Sequence, residues 1–314
     1  MAQRNRRGFS VRTFLASGRP EGLSLIEHSQ WIGRGLVIPR HELDKHLKRG
    51  EFRGTGIYIL AGINPQTGCE RIGIGQIGNL RDELEDVRGA GYWSRMLVFA
   101  ADGPRLHRDH VDYIESRMID MAREVKGAEL DNDNEVDAPK LYEADEADAE
   151  HFIERLVTML PALGVTAFEA APPKPSSTPT LRISGNGAVG DGYEARGRFV
   201  ISGGSTATRS DQGGLPGYVR DLRESLLTRG VLVEEGKQLK FAVSCSVPSA
   251  AVGASLMLAG KPDADAWKPH SNSGRGPTGR DAGDTDDRRA PTVEVKPLKA
   301  AKAQPAGATE DDDD

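Results

Sequence analysis

The sequence predicts a mixed α/β (α+β) fold with two ordered parts and a polar tail, for three reasons. A chain of 314 residues exceeds the roughly 100 to 200 residues of one typical core, so two domains are expected. Short apolar runs alternate with helical periodicity in residues 53–169 and again in residues 181–269. Residues 170–180 lie between these regions and have the Pro-rich composition of a stiff linker.

Residues 1–52 are expected to form an N-terminal extension of strand and helix. Phe9 to Leu15 alternates as a strand does, and a second apolar stretch ends at Pro39. A helix is predicted to follow, because a proline suits the first helical turn and Leu43 and Leu47 form an apolar i,i+4 stripe.

Residues 53–169 are expected to form a small three-stranded sheet flanked by helices. Turn residues in Asn64–Gly68 give the first two strands the spacing of a hairpin. The predicted elements, in order, are strands at Gly56–Gly62 and Glu70–Gly75, a short helix at Leu80–Val87, a strand at Met96–Ala101, a long helix at Leu106–Lys126 and a further helix at about Ala144–Leu160.

Residues 181–269 are expected to form a separate small α+β domain. Its predicted elements are strands around Glu194–Ile201, near Val231 and near Phe241, a helix at Tyr218–Thr228 and an alanine-rich helix after Pro248. Gly185–Gly190 is interpreted as a flexible loop. Residues 270–314 show no periodicity and end in acidic residues, so a disordered tail is expected, with a protein as a candidate partner.

Charge and cysteine content narrow the class of protein. The net charge of −6 averages a basic start, including Arg4, Arg6 and Arg7, with the acidic end. Cys69 and Cys245 lie far apart without metal-ligand spacing, which favours a reducing cytoplasm over a disulfide framework or zinc site. No apolar stretch approaches about 18 residues, so a soluble cytoplasmic protein without a membrane partner is expected.

Glu115 falls inside the apolar stripe of the long predicted helix. A carboxylate against a core is costly unless it is paired, protonated or bound to a cation. One interpretation is a metal ligand; the other is a helix glutamate that reaches solvent or an arginine such as Arg117 or Arg81. Asp109 and Asp112 lie largely off the face of Glu115, so a joint metal site that also includes His107 and His110 is not expected. His110 is interpreted as a supporting or phosphate-contacting group.

These segments resemble the GIY-YIG nuclease family. The first motif is Gly56-Ile57-Tyr58, and the second is matched by Gly73-Ile74-Gly75, without its tyrosine. The stretch from His110 to Glu115 looks like the helix that carries the metal-ligand glutamate, and the stretch from Glu129 to Asn134 looks like the segment with its asparagine, at Asn132 or Asn134. The arginine expected after the second motif is replaced by Glu83. Over residues 10–268 the chain resembles a subgroup with a C-terminal domain of unknown function.

The resemblance implies hydrolysis of DNA phosphodiester bonds with one Mg²⁺ or Mn²⁺ ion. Glu115 would be the metal ligand, since a hard cation can keep waters and substrate oxygens in its remaining positions. Tyr58 would position or deprotonate the attacking water. Glu83 in place of the arginine puts stabilisation of the transition state in question.

Two alternatives stay open from the sequence. Loss of a tyrosine and an arginine also suits a catalytically inactive module that binds nucleic acid or protein. Gly73–Gly78 matches the GxGxxG pattern of dinucleotide-binding proteins, with Asp102 as a candidate ribose contact. No catalytic combination is found in residues 181–269, and the oligomeric state is not predicted.

Overall fold

The computed structural model describes residues 8–29, 33–100, 106–132, 138–261 and 263–270. These residues form two β-sheets and six α-helices, so the predicted mixed α+β fold is confirmed. Asp102, Asn134 and residues 271–314 of the predicted tail lie outside the described residues. None of the helices in these ranges is long and apolar enough to cross a membrane.

The first sheet has seven strands in the order β1-β2-β3-β6-β4-β5-β7. They are β1 (Val11–Leu15), β2 (Ser24–His28), β3 (Arg34–Pro39), β4 (Gly56–Ile63), β5 (Glu70–Gln76), β6 (Trp93–Ala100) and β7 (Glu129–Leu130). Neighbouring strands are antiparallel except for the short β7, which pairs in parallel with Arg71 and Ile72 of β5.

The three-stranded sheet expected in residues 53–169 is the centre of this larger sheet. β3 pairs with the outer edge of β6 from Arg34 opposite Ala100 to Pro39 opposite Arg95, and so joins the N-terminal extension to it. Leu36 and Ile38 of β3 are fully buried by this pairing. β3 and β6 are some 60 residues apart in the sequence, and a local sequence pattern does not indicate which distant strands pair. The sequence therefore predicted only the three strands that lie close together along the chain.

The six α-helices are α1 (Leu43–His46), α2 (Leu84–Gly89), α3 (Arg108–Val125), α4 (Glu143–Met159), α5 (Gly217–Thr228) and α6 (Ala250–Leu258). The helix predicted after Pro39 is shorter than expected, because α1 is a single turn after a 3-10 turn at Arg40–Glu42. Glu42 accepts a hydrogen bond from the backbone of Leu23, and Arg40 donates to the carbonyl of Ala90, so tertiary contacts fix this segment.

The side chains of β4 alternate between two apolar layers. Ile57 and Ile59 are fully buried in the layer that contains α3 and α4. Tyr58 and Leu60 face the opposite layer, which includes Val87 of α2. This alternation follows from the period of two along a strand, and it fixes the face on which the Tyr58 ring lies.

The second sheet is formed by β8 (Leu181–Gly185), β9 (Ala188–Ala195), β10 (Arg198–Ile201), β11 (Thr206–Thr208), β12 (Leu232–Glu235), β13 (Gln238–Phe241), β14 (Cys245–Val247) and β15 (Lys268–Pro269). Helices α5 and α6 share its apolar core. The interpretation of Gly185–Gly190 as a flexible loop was wrong. Asn186 and Gly187, with φ of 51° and 83°, form a two-residue turn between β8 and β9, the geometry that Asn-Gly favours.

Candidate functional site

An open cavity of about 610 Å³ lies beside β5, where this strand continues past the short β7. Three predicted site residues, Tyr58, Glu115 and Asn132, line it from β4, from α3 and from the segment after β7. Its described wall also holds the carboxylates Glu83, Asp86 and Asp131 and contains no Lys, Arg or His side chain. The cavity is therefore acidic and suited to a cation.

Tyr58 reaches the cavity by lying across a glycine of the neighbouring strand. Tyr58 of β4 is paired with Gly75 of β5, so their side-chain positions share one face of the sheet. A Cβ atom on Gly75 would lie 2.4 Å from the Tyr58 hydroxyl oxygen and ring carbon Cζ. Gly75 is required because any larger residue would displace the tyrosine ring.

The Tyr58 hydroxyl donates a hydrogen bond of 2.5 Å to Oε2 of Glu83. Glu83 occupies the position at which the family resemblance calls for an arginine. Burial raises the pKa of Tyr58 strongly, and the hydrogen bond and the negative charge of Glu83 raise it further. Tyr58 is therefore a neutral donor near pH 7, with a carboxylate placed to receive its proton.

The glycine in place of the second-motif tyrosine has a steric explanation. A Cβ on Gly73 would lie 2.6 Å from the hydroxyl oxygen of Tyr92. Tyr92 precedes β6, is 8% exposed and belongs to the same apolar layer as Tyr58. A tyrosine from another part of the chain thus fills the space over Gly73.

Tyr92 is held by charged neighbours at the edge of the cavity. The guanidinium of Arg71 lies 4.9 Å from the centre of the Tyr92 ring and forms an ion pair with Asp131. Burial raises the pKa of Tyr92, and the nearby Asp131 carboxylate raises it further. The hydroxyl nevertheless makes no hydrogen bond of ordinary geometry within the described chain.

The side-chain amide of Gln76, which was not among the predicted site residues, forms hydrogen bonds with both Glu115 and Asp112. Gln76 Nε2 donates at 2.7 Å to Oδ1 of Asp112 and at 2.7 Å to Oε2 of Glu115. Asp112 shares this donor with Glu115 although it lies largely off the face of Glu115, because residues three apart are neighbours on a helix surface. Burial raises the pKa of Glu115, and the charges of Glu83 and Asp112 raise it further, although the Gln76 hydrogen bond acts in the opposite direction.

Asn132 fixes the wall of the cavity. Its Oδ1 accepts a hydrogen bond of 2.9 Å from the backbone nitrogen of Ile74, and its Nδ2 donates at 2.7 Å to the backbone oxygen of Ile74. The amide thereby continues the pairing of β5 beyond β7. Asn134, the second predicted asparagine, lies outside the described residues.

His110 does not line the cavity. Its Nδ1 accepts a hydrogen bond from the backbone nitrogen of His107 at the start of α3, and its Nε2 lies 3.5 Å from Oδ1 of Asp145. The imidazole is 4% exposed. The structure therefore gives His110 a helix-capping contact and not the phosphate-facing position proposed from the sequence.

Sequence reasoning missed the roles of Gln76, Glu83 and Tyr92 in this site. Gln76 directly follows the second motif, and the i,i+3 spacing of Asp112 and Glu115 could have suggested that they share a donor. Tyr92 carried no sequence signal, because its overlap with Gly73 depends on the packing of two separate segments.

The wall of the cavity offers carboxylates of the kind that hard divalent cations take as ligands. In the part of the chain that the structure describes, no group of three or more His, Cys, Asp or Glu side chains is arranged to hold a metal. Mg²⁺ commonly takes one or two carboxylates and keeps several waters, so Glu115 can serve without a larger ligand set. A cation there would also relieve the repulsion among Glu115, Glu83 and Asp112 that raises the pKa of Glu115.

The described residues around Gly73–Gly78 do not form the parallel β-α-β unit that the dinucleotide-binding alternative requires. A GxGxxG fingerprint binds pyrophosphate in a parallel β-α-β unit. Here β5 is antiparallel to β4, and Ile77–Glu83 form turns before the six-residue α2. Gly73 and Gly75 are instead explained by the tyrosine rings above β5, and Gly78 lies in the turn that follows.

Residues 181–275 match a protein family described as a domain of unknown function (DUF4357). The match spans the second sheet with α5 and α6, whereas the acidic cavity lies before it. No curated protein and no solved structure matches the chain.

Proposed function

We propose that the first sheet and its helices form a GIY-YIG-type endonuclease site that hydrolyses DNA phosphodiester bonds with one Mg²⁺ or Mn²⁺ ion. The proposal rests on one observation. Tyr58, Glu115 and Asn132 line the same open cavity although they belong to three separate segments of the chain. Two free, buried cysteines support a cytoplasmic location for this activity.

Glu115 is the residue proposed to hold the cation. Its carboxylate faces the cavity and is oriented by Gln76, which also binds Asp112. When bound, a divalent ion supplies charge stabilisation at a phosphoryl oxygen and lowers the pKa of a coordinated water. The second carboxylate, Asp112, keeps the Gln76 amide in place and so positions Glu115.

Tyr58 and Glu83 are proposed to act as a proton-accepting pair. The raised pKa of Tyr58 makes it a poor base alone. If the attacking water gives its proton to the Tyr58 oxygen while the Tyr58 proton passes to Oε2 of Glu83, Tyr58 stays neutral throughout. The 2.5 Å hydrogen bond is suited to that transfer, and Glu83 ends the step protonated.

Among the described residues, no cationic side chain is placed in the cavity to stabilise a phosphorus-centred transition state. The described wall of the cavity contains no arginine or lysine. Loss of one such stabilising group commonly lowers a rate by about two to three orders of magnitude. The proposed enzyme is therefore expected to be slow and strongly dependent on the metal.

A non-catalytic binding module is the second candidate function. It is favoured by one observation, the carboxylate of Glu83 at the position of the expected arginine. Such a module would retain DNA or a protein without cutting it. Retention of DNA would then weaken steeply with salt, since the release of counterions dominates non-specific binding.

A cleavage assay distinguishes the two functions. The full chain is incubated with single- and double-stranded DNA and with Mg²⁺ or Mn²⁺, beside Glu115→Gln and the control Glu124→Gln, an exposed glutamate on the same helix. We expect metal-dependent cleavage by the wild type and Glu124→Gln, and loss of at least about a hundredfold in Glu115→Gln. Equal cleavage by all three, or none by any, rejects this active site.

A further inference from the structure

A second cavity, of about 180 Å³, lies at the boundary between the two sheets. The first part contributes the start of β5, the end of α3 and the segment around Thr166. The second part contributes the turn between β9 and β10, the end of α5 and β14. Its volume is below the roughly 300 Å³ of sites for drug-sized ligands, so it suits a small group.

Cationic side chains dominate this cavity. Four line it, Lys126, Arg196, Arg198 and Arg229, against the two acids Glu70 and Glu169.

Both acids are already engaged. Glu169 pairs with Arg196 at 2.6 Å. Glu70 accepts hydrogen bonds from the backbone nitrogen of Thr166 at 3.1 Å and from its hydroxyl at 2.7 Å. Burial raises the pKa of Glu70, whereas the Thr166 hydrogen bonds and the charges of Arg95 and Arg198 act in the opposite direction.

Arg198 and Arg229 have no carboxylate within ion-pair distance in the described chain. Arg198 Nε donates to Oγ of Ser246 at 3.1 Å, and Arg229 donates to the backbone oxygen of Lys126. The Nε atom of Arg229 is buried and has no hydrogen-bond partner among the described residues. Both residues are half-buried, and a guanidinium partly removed from water is costly unless an anion or further acceptors compensate its charge.

We propose that this cavity binds a phosphate-sized oxyanion between Arg198 and Arg229. Guanidinium groups match tetrahedral oxyanions through parallel N–H donors. The hydroxyls of Ser244 and Ser246 line the same space, and each accepts a hydrogen bond through its oxygen, which leaves its proton free to donate. The ligand is inorganic phosphate or the terminal phosphate of a small phosphomonoester. The assignment does not depend on the proposed nuclease activity.

An anion bound in this cavity would stabilise the contact between the region of the first sheet and the region of the second sheet. Lys126 Nζ already donates to the backbone oxygen of Gly230 at 2.9 Å, and the Ser225 hydroxyl donates to Glu129 at 2.8 Å. A ligand that binds only the folded chain raises its melting temperature in proportion to the logarithm of ligand concentration above Kd.

Thermal unfolding of the full chain tests the site. Sodium phosphate is titrated at constant ionic strength maintained with sodium chloride, and a nucleoside monophosphate forms a second series. The variants are Arg198→Gln and Arg229→Gln, with Arg209→Gln as the control, because Arg209 is exposed and pairs with Glu234 in the same domain. We expect the melting temperature of the wild type and the control to rise with the logarithm of phosphate concentration above Kd, and the apparent affinity to be reduced about tenfold or more in both variants.

Two results would overturn the proposal. One is a shift with phosphate no larger than that with chloride at equal ionic strength. The other is an unchanged phosphate response in Arg198→Gln. If either glutamine variant fails to fold, Ser246→Ala replaces it, since it removes a neutral donor and is expected to weaken phosphate binding without removing charge. A response to the monophosphate as well as free phosphate assigns the site to phosphomonoesters, whereas free phosphate alone assigns it to the inorganic ion.

Discussion

Gly73 and Tyr92 occupy positions that depend on each other. The space that a side chain on Gly73 would need holds the hydroxyl of Tyr92, and the ring of Tyr92 is covered by Arg71. The missing second-motif tyrosine is thus accompanied by another tyrosine over the same strand, beside Tyr58. Two phenol groups, those of Tyr58 and Tyr92, therefore lie over the glycines of β5 on this face of the sheet.

Gly73→Ala is expected to destabilise the protein by about 1 to 3 kcal/mol, because a new methyl group would overlap the Tyr92 hydroxyl. Tyr92→Phe removes that oxygen, so the double variant should recover part of the loss. The measurement is the free energy of unfolding in urea. Gly78→Ala is the control, since no atom lies within 4 Å of a Cβ at that position. A Gly73→Ala loss that Tyr92→Phe does not reduce would show that the overlap is not its cause.

Glu83→Gln is expected to lower the proposed cleavage rate by about a hundredfold, because an amide cannot accept the Tyr58 proton as a carboxylate does. The rate is measured at saturating metal, beside Glu85→Gln, an exposed glutamate two residues away. Cleavage by Glu83→Gln at the wild-type rate would remove Glu83 from the mechanism.

The stability of Glu115→Gln relative to the wild type should depend on pH. Glu115 ionises at its ordinary pKa of about 4.5 in the unfolded chain but at a raised pKa in the folded chain. Ionisation therefore disfavours the folded wild type increasingly as pH rises from the ordinary value through the raised one. Without metal, Glu115→Gln should be more stable than the wild type at pH 7, and the difference should disappear below about pH 4. Urea unfolding across this range measures it. A difference independent of pH, or a less stable variant at pH 7, would contradict the raised pKa.

Among the secondary-structure elements, those with strong local periodicity were predicted well. The long helix predicted at Leu106–Lys126 is α3 at Arg108–Val125, and the one predicted at Ala144–Leu160 is α4 at Glu143–Met159. The apolar stripe of α3 packs on the first sheet, and that of α4 packs against α3 in the same core. The hairpin of β4 and β5 also follows from its turn residues.

Elements and contacts that depend on distant segments were not predicted. The pairing of β3 with β6 and the shortness of α1 depend on tertiary partners, such as the Ala90 carbonyl that binds Arg40. In the site, the sequence indicated Tyr58 and Glu115 but not the packing of Tyr92 over Gly73. A motif reports which residue types are present, whereas the overlap of two segments becomes visible only in three dimensions.

A buried carboxylate joins the β4–β5 turn, β7 and α5. Glu129 is 8% exposed and accepts hydrogen bonds from Asn64 at 2.5 Å, from Thr67 at 2.6 Å and from Ser225 at 2.8 Å. Glu129→Gln places an amide against three donors, so we expect a loss of about 2 to 4 kcal/mol in the free energy of unfolding. The exposed Glu124→Gln should change it little. A loss for Glu129→Gln no larger than for Glu124→Gln would show that this junction contributes little to stability.

At the scale of the whole molecule, two cavities lined by side chains of opposite charge lie at different places in the fold. The one beside β5 has four carboxylates and no described basic side chain, which suits a cation. The one between the two sheets has four cationic side chains against two acids, which suits an anion. The net charge of −6 describes neither site, because it averages over both of them.

We propose that Glu115 holds one hard cation in the cavity beside β5. Electron paramagnetic resonance titration of the full chain with Mn²⁺ tests it without requiring a substrate. We expect one Mn²⁺ ion per chain for the wild type and for Glu124→Gln, with affinity weakened by more than about tenfold in Glu115→Gln. Equal Mn²⁺ binding by all three proteins, or no binding by the wild type, would contradict the claim.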